Sequence, residues 1–197
     1  NPAASDDEIM RDYFPHIAPA GSVAVKINNS IPWGTGEMQQ NLLAMAEGAQ
    51  STLDVDMAYI HMPAFSDALV KAANRGVKIR IVTNSQDGID FEPSWYFSRQ
   101  HYGKMLATGN IEIYEEHQYS HRKLIVADQR AVFVSTGNAD WHSWERAWDE
   151  SAIIDSPKLA KQIKETVFDP ATKPEQSIRV TPESLTQDSL WVRIKSA

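Results

Sequence analysis

His121 and Lys123 stand two residues apart, and Ser135, Thr136 and Asn138 follow after two short apolar runs. In an extended strand, residues two apart project from one face. The apolar runs are residues 124–127 and 131–134, and Asp128, Gln129 and Arg130 between them read as the turn of a β-hairpin. Antiparallel pairing returns Ser135, Thr136 and Asn138 to the side of His121. An imidazole, an ammonium, a hydroxyl and a carboxamide then converge on one small volume. That set suits a phosphate ester. Lys123 brings charge, Thr136 and Asn138 bring directed hydrogen bonds, and His121 brings a nucleophile or a proton donor. These residues account for the chemistry without a metal or a cofactor, and none is expected.

No single part of this set is specific. A histidine alone in a strand is usually a surface residue, so the weight rests on the whole string with its spacings. Trp141, Trp144 and Trp148 form a stripe that more often means core packing than a ligand wall. Its place directly after the motif makes contact with a lipid glycerol or acyl chain the second reading. His117 and His121, four apart, have the metal-pair spacing of a helix, and the segment reads as extended, so no metal site is assigned.

The elements that must position these residues follow an α/β pattern. Strands are predicted at 23–27, 53–59, 77–81 and 111–113, with helices between them at 37–49, 63–75 and 93–109. Pro63 starts the second helix and Gly76 stops it. After the hairpin come a strand at 153–154 and a last helix over 157–168. The expected class is a mixed β-sheet flanked by helices on both faces. Residues 1–21 read as a linker or lead-in, 22–169 as the catalytic domain, and 170–197 as a tail whose apolar end at 190–194 could dock.

The chain has 197 residues, 42% hydrophobic and 23% charged, the balance of an ordinary globular domain. It has no apolar run long enough to span a bilayer. Residues 1–8 carry neither an initiator Met nor a basic start followed by an apolar core, so a processed chain or the interior of a longer one is expected. The net charge of −7 argues against an indiscriminate grip on nucleic acid. The absence of cysteine excludes disulfides and thiolate zinc sites and leaves the compartment open.

The chemistry-bearing string resembles the phospholipase D superfamily, whose signature is H-x-K, then D, then G-S-x-N. His121, Lys123, Asp128 and Asn138 occupy the matching positions. Ser135 replaces the usual Gly and Thr136 the usual Ser, which keeps the hydroxyl. The resemblance extends over residues 22–168 and implies a phospholipase D-like half-domain. It implies that His121 is catalytic, that Lys123 and Asn138 bind phosphoryl oxygens with Thr136 assisting, and that Asp128, though part of the catalytic motif, is structural. It also implies an acidic residue that orients the histidine, which falls on Asp149 or its neighbour Glu150.

The family's reaction is a double displacement through a phosphohistidine, and it needs two motifs. None of His16, His61, His101, His117 and His142 is followed by Lys two positions on, so this chain carries one. The second motif is expected from another segment, an N-terminal half with this chain as the C-terminal one, or from an identical subunit. In the first arrangement His121 takes the general-acid place. The expected activity is hydrolysis or transphosphatidylation of a glycerophospholipid at a membrane surface, with a periplasmic or secreted setting. The alternatives are a homodimeric phosphodiesterase or nuclease, and an inactive phosphate-binding module.

Overall fold

The computed structural model describes residues 23–33 and 36–185. The expected lead-in at 1–21 and the apolar end at 190–194 lie outside the described residues. The periodic segments become β1 (Ala24–Ser30), α1 (Glu37–Gly48), β2 (Thr52–Met57), α2 (Pro63–Asn74), β3 (Lys78–Asn84), α3 (Glu92–Leu106) and β4 (Ile111–Glu116). Pro63 sits in the first turn of α2, and Gly76, at φ 100°, follows its end in a conformation that only glycine adopts freely. The predicted hairpin is β5 (Lys123–Ala127) and β6 (Ala131–Ser135). Asp128 and Gln129 turn it at φ 52° and 54°.

Next come α4 (Trp141–Glu145), β7 (Asp149–Asp155) and α5 (Pro157–Ile163). A π-helical turn, Lys164–Phe168, leads into α6 (Asp169–Ala171). The widened turn ends at Phe168, and Pro170, in the first turn of α6, has no N–H to offer the α ladder before it. β8 (Ser177–Val180) completes the order.

The strands form one eight-stranded sheet in the order β1-β7-β6-β5-β2-β3-β4-β8. β2, β3 and β4 run parallel. The remaining neighbours are antiparallel. One face packs Leu42 of α1, Leu69 of α2 and Tyr102 of α3 against Val55, Ile125 and Phe133. The other packs Phe168 and Ala160 against Val82, Leu124 and Val126. Helices therefore cover both faces, as the sequence pattern predicts.

Cover on both faces changes the meaning of the polar positions in β2. Asp54 and Asp56 alternate with apolar residues, and both are buried beneath the α5–α6 layer. Each carries an arginine: Arg80 at 2.6 Å for Asp54, Arg122 at 2.5 Å for Asp56. The stretch whose composition marks it as a tail from residue 170 supplies β8, whose Val180 pairs with Ile113 and is buried. Four residues are too few for a period to show. The tryptophan stripe also divides. The helix ends at Glu145, so Trp144 packs in the core while Trp141 and Trp148 are exposed.

Motif spacing groups Asp128 with the catalytic side chains, and the strand separates it from them. Asp128 lies five positions along from Lys123, roughly 17 Å of extended chain. Its carboxylate instead accepts the backbone N–H groups of Gln50 (3.0 Å), Ser51 (2.7 Å) and Thr52 (3.1 Å) and the Ser51 hydroxyl (2.8 Å). Asp128 thus ties the turn between α1 and β2 to the hairpin, and it is a structural residue. Burial pushes its carboxyl up, and the donors from Ser51, Thr52 and Gln50 together outweigh that and hold it below the usual range.

Asp128→Ala is expected to destabilise the protein by about 1–2 kcal/mol at neutral pH in urea denaturation, the scale of a lost carboxylate cap. Because the folded carboxyl is depressed, its contribution is complete above the unfolded value of about 4 and is lost as pH falls through the folded value. The difference between the two proteins should therefore narrow in acid. A difference that stays constant through that range would show that the charge is not involved.

Candidate active site

The register of the sheet brings one end of seven strands together. Lys123 at the start of β5 lies opposite Met57 at the end of β2, and Asn84 opposite Glu116. Ser135 at the end of β6 lies opposite Ser151, and Asp149 at the start of β7 opposite Ser30. Thr136, Gly137 and Asn138 continue from β6, and His121 immediately precedes β5. The predicted convergence is present: His121, Lys123, Thr136, Asn138 and Asp149 all lie at this edge.

Lys123 is buried, and its Nζ donates to the His121 carbonyl at 2.9 Å. Burial pushes its ammonium below the usual lysine range, while Asp140, Asp90, Asp149 and Asp56 pull the other way. Asn138 is placed by its backbone, whose N–H donates to Ser143 Oγ at 3.0 Å. Ser143 lies in α4, which Asp140 caps by accepting the Ser143 N–H at 2.7 Å. Thr136 Oγ1 donates to Asp149 Oδ1 at 2.7 Å and accepts the Glu150 N–H at 3.0 Å. Two buried polar atoms, Asn138 Oδ1 and Asp149 Oδ2, have no partner. Unpaired buried acceptors are costly, and these two are free to accept from a donor that enters the site.

Alternation along β7 separates the two acidic candidates. Asp149 is buried and touches Thr136, whereas Glu150 is exposed on the opposite face and contributes through its backbone. The sequence expectation that Glu150 competes for the orienting place is therefore corrected. His121 is exposed, with its ring tilted against Tyr119 at 5.9 Å between centroids. Asp149 and His121 share the site, yet no hydrogen bond joins them among the described residues. The imidazole lies beyond the last ladder pair of β5, and the carboxylate lies under the turn at Gly137.

Three functional residues escape sequence reasoning. Gly137 is one: a Cβ there would meet Asp149 Oδ2 and Met38 Sδ, each at 2.5 Å. The signal was present as the small residue between Thr136 and Asn138. Asp140 is the second, since a capping role depends on a helix of five residues that is too short to predict. Asn84 is the third and acts on the segment before His121. Ser135 is compatible with its place in the motif: its hydroxyl donates to the Glu150 carbonyl and accepts the Gly137 N–H, both at 3.0 Å. Among the described residues no group of three or more acidic or histidine side chains could hold a metal ion. The exposed aromatic residues among those described, Trp33, Phe91, Phe97, Tyr119, Trp141 and Trp148, all belong to loops or helices at this end.

Comparison with known proteins bears on the family and the fold. The family described as "Cardiolipin synthase, PLD-like domain" matches residues 42–169. A cardiolipin synthase of Listeria welshimeri is 25% identical over 202 aligned positions, covering 100% of this chain and 41% of that protein. One from Listeria innocua is 25% identical over 188 positions, covering 94% of this chain and 38% of that protein. The chain thus spans about two fifths of the length of these relatives. Among solved structures, the phospholipase D family member Nuc from Salmonella typhimurium superposes with TM-score 0.68 at 20% identity, covering 81% of this chain and 99% of that one. Phosphatidylserine synthase of Haemophilus influenzae gives TM-score 0.67 at 13% identity, covering 88% of this chain and 46% of that one. These two share the fold.

Gly137→Ala is expected to lower stability by about 1–3 kcal/mol, the usual cost of forcing atoms into a packed site. The added methyl must displace the Asp149 carboxylate or Met38, and thermal melting reads the cost. A melting midpoint equal to that of the parent would mean that the turn over Asp149 is looser than its geometry shows.

Proposed function

The chain belongs to the cardiolipin synthase, phospholipase D-like domain family, and on that footing we propose that it supplies half of a phosphodiester-transfer site acting on a glycerophospholipid. The observation that carries this reading is the cluster of Lys123, Thr136 and Asn138 at one sheet edge, beside the unpaired buried oxygens of Asn138 and Asp149. Lys123 would attract a phosphoryl oxygen and the Asn138 amide would fix its direction, while Thr136, whose hydroxyl proton goes to Asp149, would hold that carboxylate beside them.

The reaction needs two histidines. One attacks phosphorus, forming a P–N bond as the P–O bond to the leaving alcohol breaks. The other delivers its proton to that alcohol. Water or a second alcohol then gives up a proton to the same base and attacks phosphorus, and the P–N bond breaks. We assign His121 the general-acid place and the attack to a histidine from a second half-domain. Asp149 Oδ2 is the acceptor available to the His121 Nδ1–H once that half packs on the segment, since such contacts often tighten only in the assembled site.

A membrane surface is the setting the rim supports. Six exposed aromatic side chains surround the site end, and amphipathic rings favour the lipid–water interface. With a net charge of −7, attachment by aromatic insertion fits better than attraction to anionic lipid. A second reading, in which two copies of this chain each give one half, is favoured by the fold match that takes in 99% of the Salmonella chain. An inactive binding module is disfavoured by the presence of the full set from His121 to Asp149.

With the second half present, the protein should release alcohol from phosphatidylglycerol vesicles and from a soluble phosphodiester in the presence of EDTA. His121→Ala should lower that rate by about a hundredfold to ten-thousandfold, the range of general acid–base catalysis. An unchanged rate rejects the assignment of His121. Cleavage of the soluble diester by a twofold dimer of this chain alone selects the second reading.

A further inference from the structure

Arg122 lies between the two motif side chains and faces away from both. His121 and Arg122 precede β5, and the pair Lys123–Met57 is the last of the ladder with β2. Strand hydrogen bonds therefore do not hold the backbone that carries the histidine. Side chains hold it instead. Asn84, buried at the end of β3, donates through Nδ2 to the Ser120 carbonyl at 3.0 Å and accepts the Ser120 N–H at 2.7 Å. Two residues on, Arg122 reaches the α5–α6 face of the sheet, away from His121 and Lys123. Its Nε donates to Asp56 Oδ2 at 2.5 Å, and its Nη2 to both oxygens of Glu116 at 2.7 Å.

The two ends of this contact differ in what they can tolerate. Asp56 has no exposed surface, and its Oδ1 lacks a partner. Leaving such a carboxylate without its cation is strongly unfavourable, so Asp56 commits the guanidinium to one place. Glu116 commits it from a second direction with a two-oxygen contact of good geometry. Asp56 lies opposite Leu124, on the face that packs against Phe168, whereas Lys123 lies opposite Met57 on the α1 face. Because side chains alternate, fixing Arg122 on one face fixes His121 and Lys123 on the other.

We propose that Arg122 is a positioning residue: its hydrogen bonds to Asp56 and Glu116 on the far face hold the peptide carrying His121, which the ladder does not hold, in place. This rests on the phosphodiester-transfer reading above. It assigns Arg122 no contact with substrate, although a cation beside a phosphate site would ordinarily be taken for a ligand. Burial pushes the Asp56 carboxyl up to about 6 against the opposing Arg122; Glu116 adds to the rise and Lys123 opposes it. The anchor is therefore fully charged only above that range, where the test is run.

The test replaces Arg122→Gln and Asp56→Asn together, so that the fully buried Asp56 carboxylate is not left without its cation, in the protein with its second half. Backbone 15N order parameters for residues 120–123 should fall from the rigid value of about 0.85 towards 0.6 or less. The kcat on a soluble phosphodiester should fall about a hundredfold, the cost of roughly 1 Å of misplacement, with KM unchanged. Arg122→Lys, which keeps the charge and loses the planar fork, should fall between. Arg130→Gln, at an exposed ion pair on the hairpin, should change neither quantity. A rigid segment in the double variant overturns the proposal, whatever the activity. So does a raised KM, which marks direct substrate contact, or a loss that only tracks the melting temperature. If the parent protein cleaves no diester, the phosphodiester reading fails, and the order parameters still decide the anchor.

Discussion

The register of β5 between β2 and β6 is the constraint on which the site depends. A slip of one residue along either neighbour would turn Lys123 into the α5–α6 layer and bring Arg122 to the site in its place. Two charged side chains oppose that slip from opposite ends of the strand. At one end Asp128 accepts three consecutive backbone N–H groups from residues 50–52. At the other Arg122 is shared by Asp56 and Glu116. Neither touches the phosphate cluster. Both are too short-ranged in their partners to be met in any other register, so the strand is located by its ends as well as by its apolar middle.

Carboxylates predominate around Lys123. Lys123 is surrounded by Asp140, Asp90, Asp149 and Asp56, and burial still dominates its titration. A phosphodiester brings a further negative charge into this setting. One lysine among several carboxylates is a weak host for it, because the attraction is partly cancelled and the ammonium is desolvated. The edge is thus incomplete in charge as well as in histidines. Both deficits fit the reading in which a second half-domain closes on this surface and brings another cation.

The hairpin, the helix stop at Gly76, and the convergence of His121, Lys123, Thr136 and Asn138 were legible because each depends on residues close in sequence. What was hidden depends on distant ones. Asp54 and Asp56 carry the signature of a solvated strand face, and only a layer formed by residues 157–171 reveals that they are buried. Asp149 and Glu150 are equivalent by spacing, and the pairing of β7 with β1 and β6 decides between them. Asn84 ends an apolar strand without any pattern of its own, and its partner Ser120 lies 36 residues away.

The site is organised unequally, and the inequality has a physical cause. Its binding side is rigid: Lys123, Thr136, Asn138 and Asp149 sit on strand ends or in a turn so tight that only Gly137 fits beneath the carboxylate. The imidazole of His121, to which we assign the general-acid place, is at the surface, outside the ladder, and hydrogen-bonded to no carboxylate among the described residues. Fixed donors are what a phosphate needs before it arrives, because reorganising them at the moment of reaction would cost barrier height. In the proposed reaction, a histidine that faces a second histidine across a shared phosphorus has a different requirement. Its final orientation cannot be dictated by one half alone, and tethers at Ser120 and Arg122 that fix its backbone while leaving its ring unpaired meet that requirement.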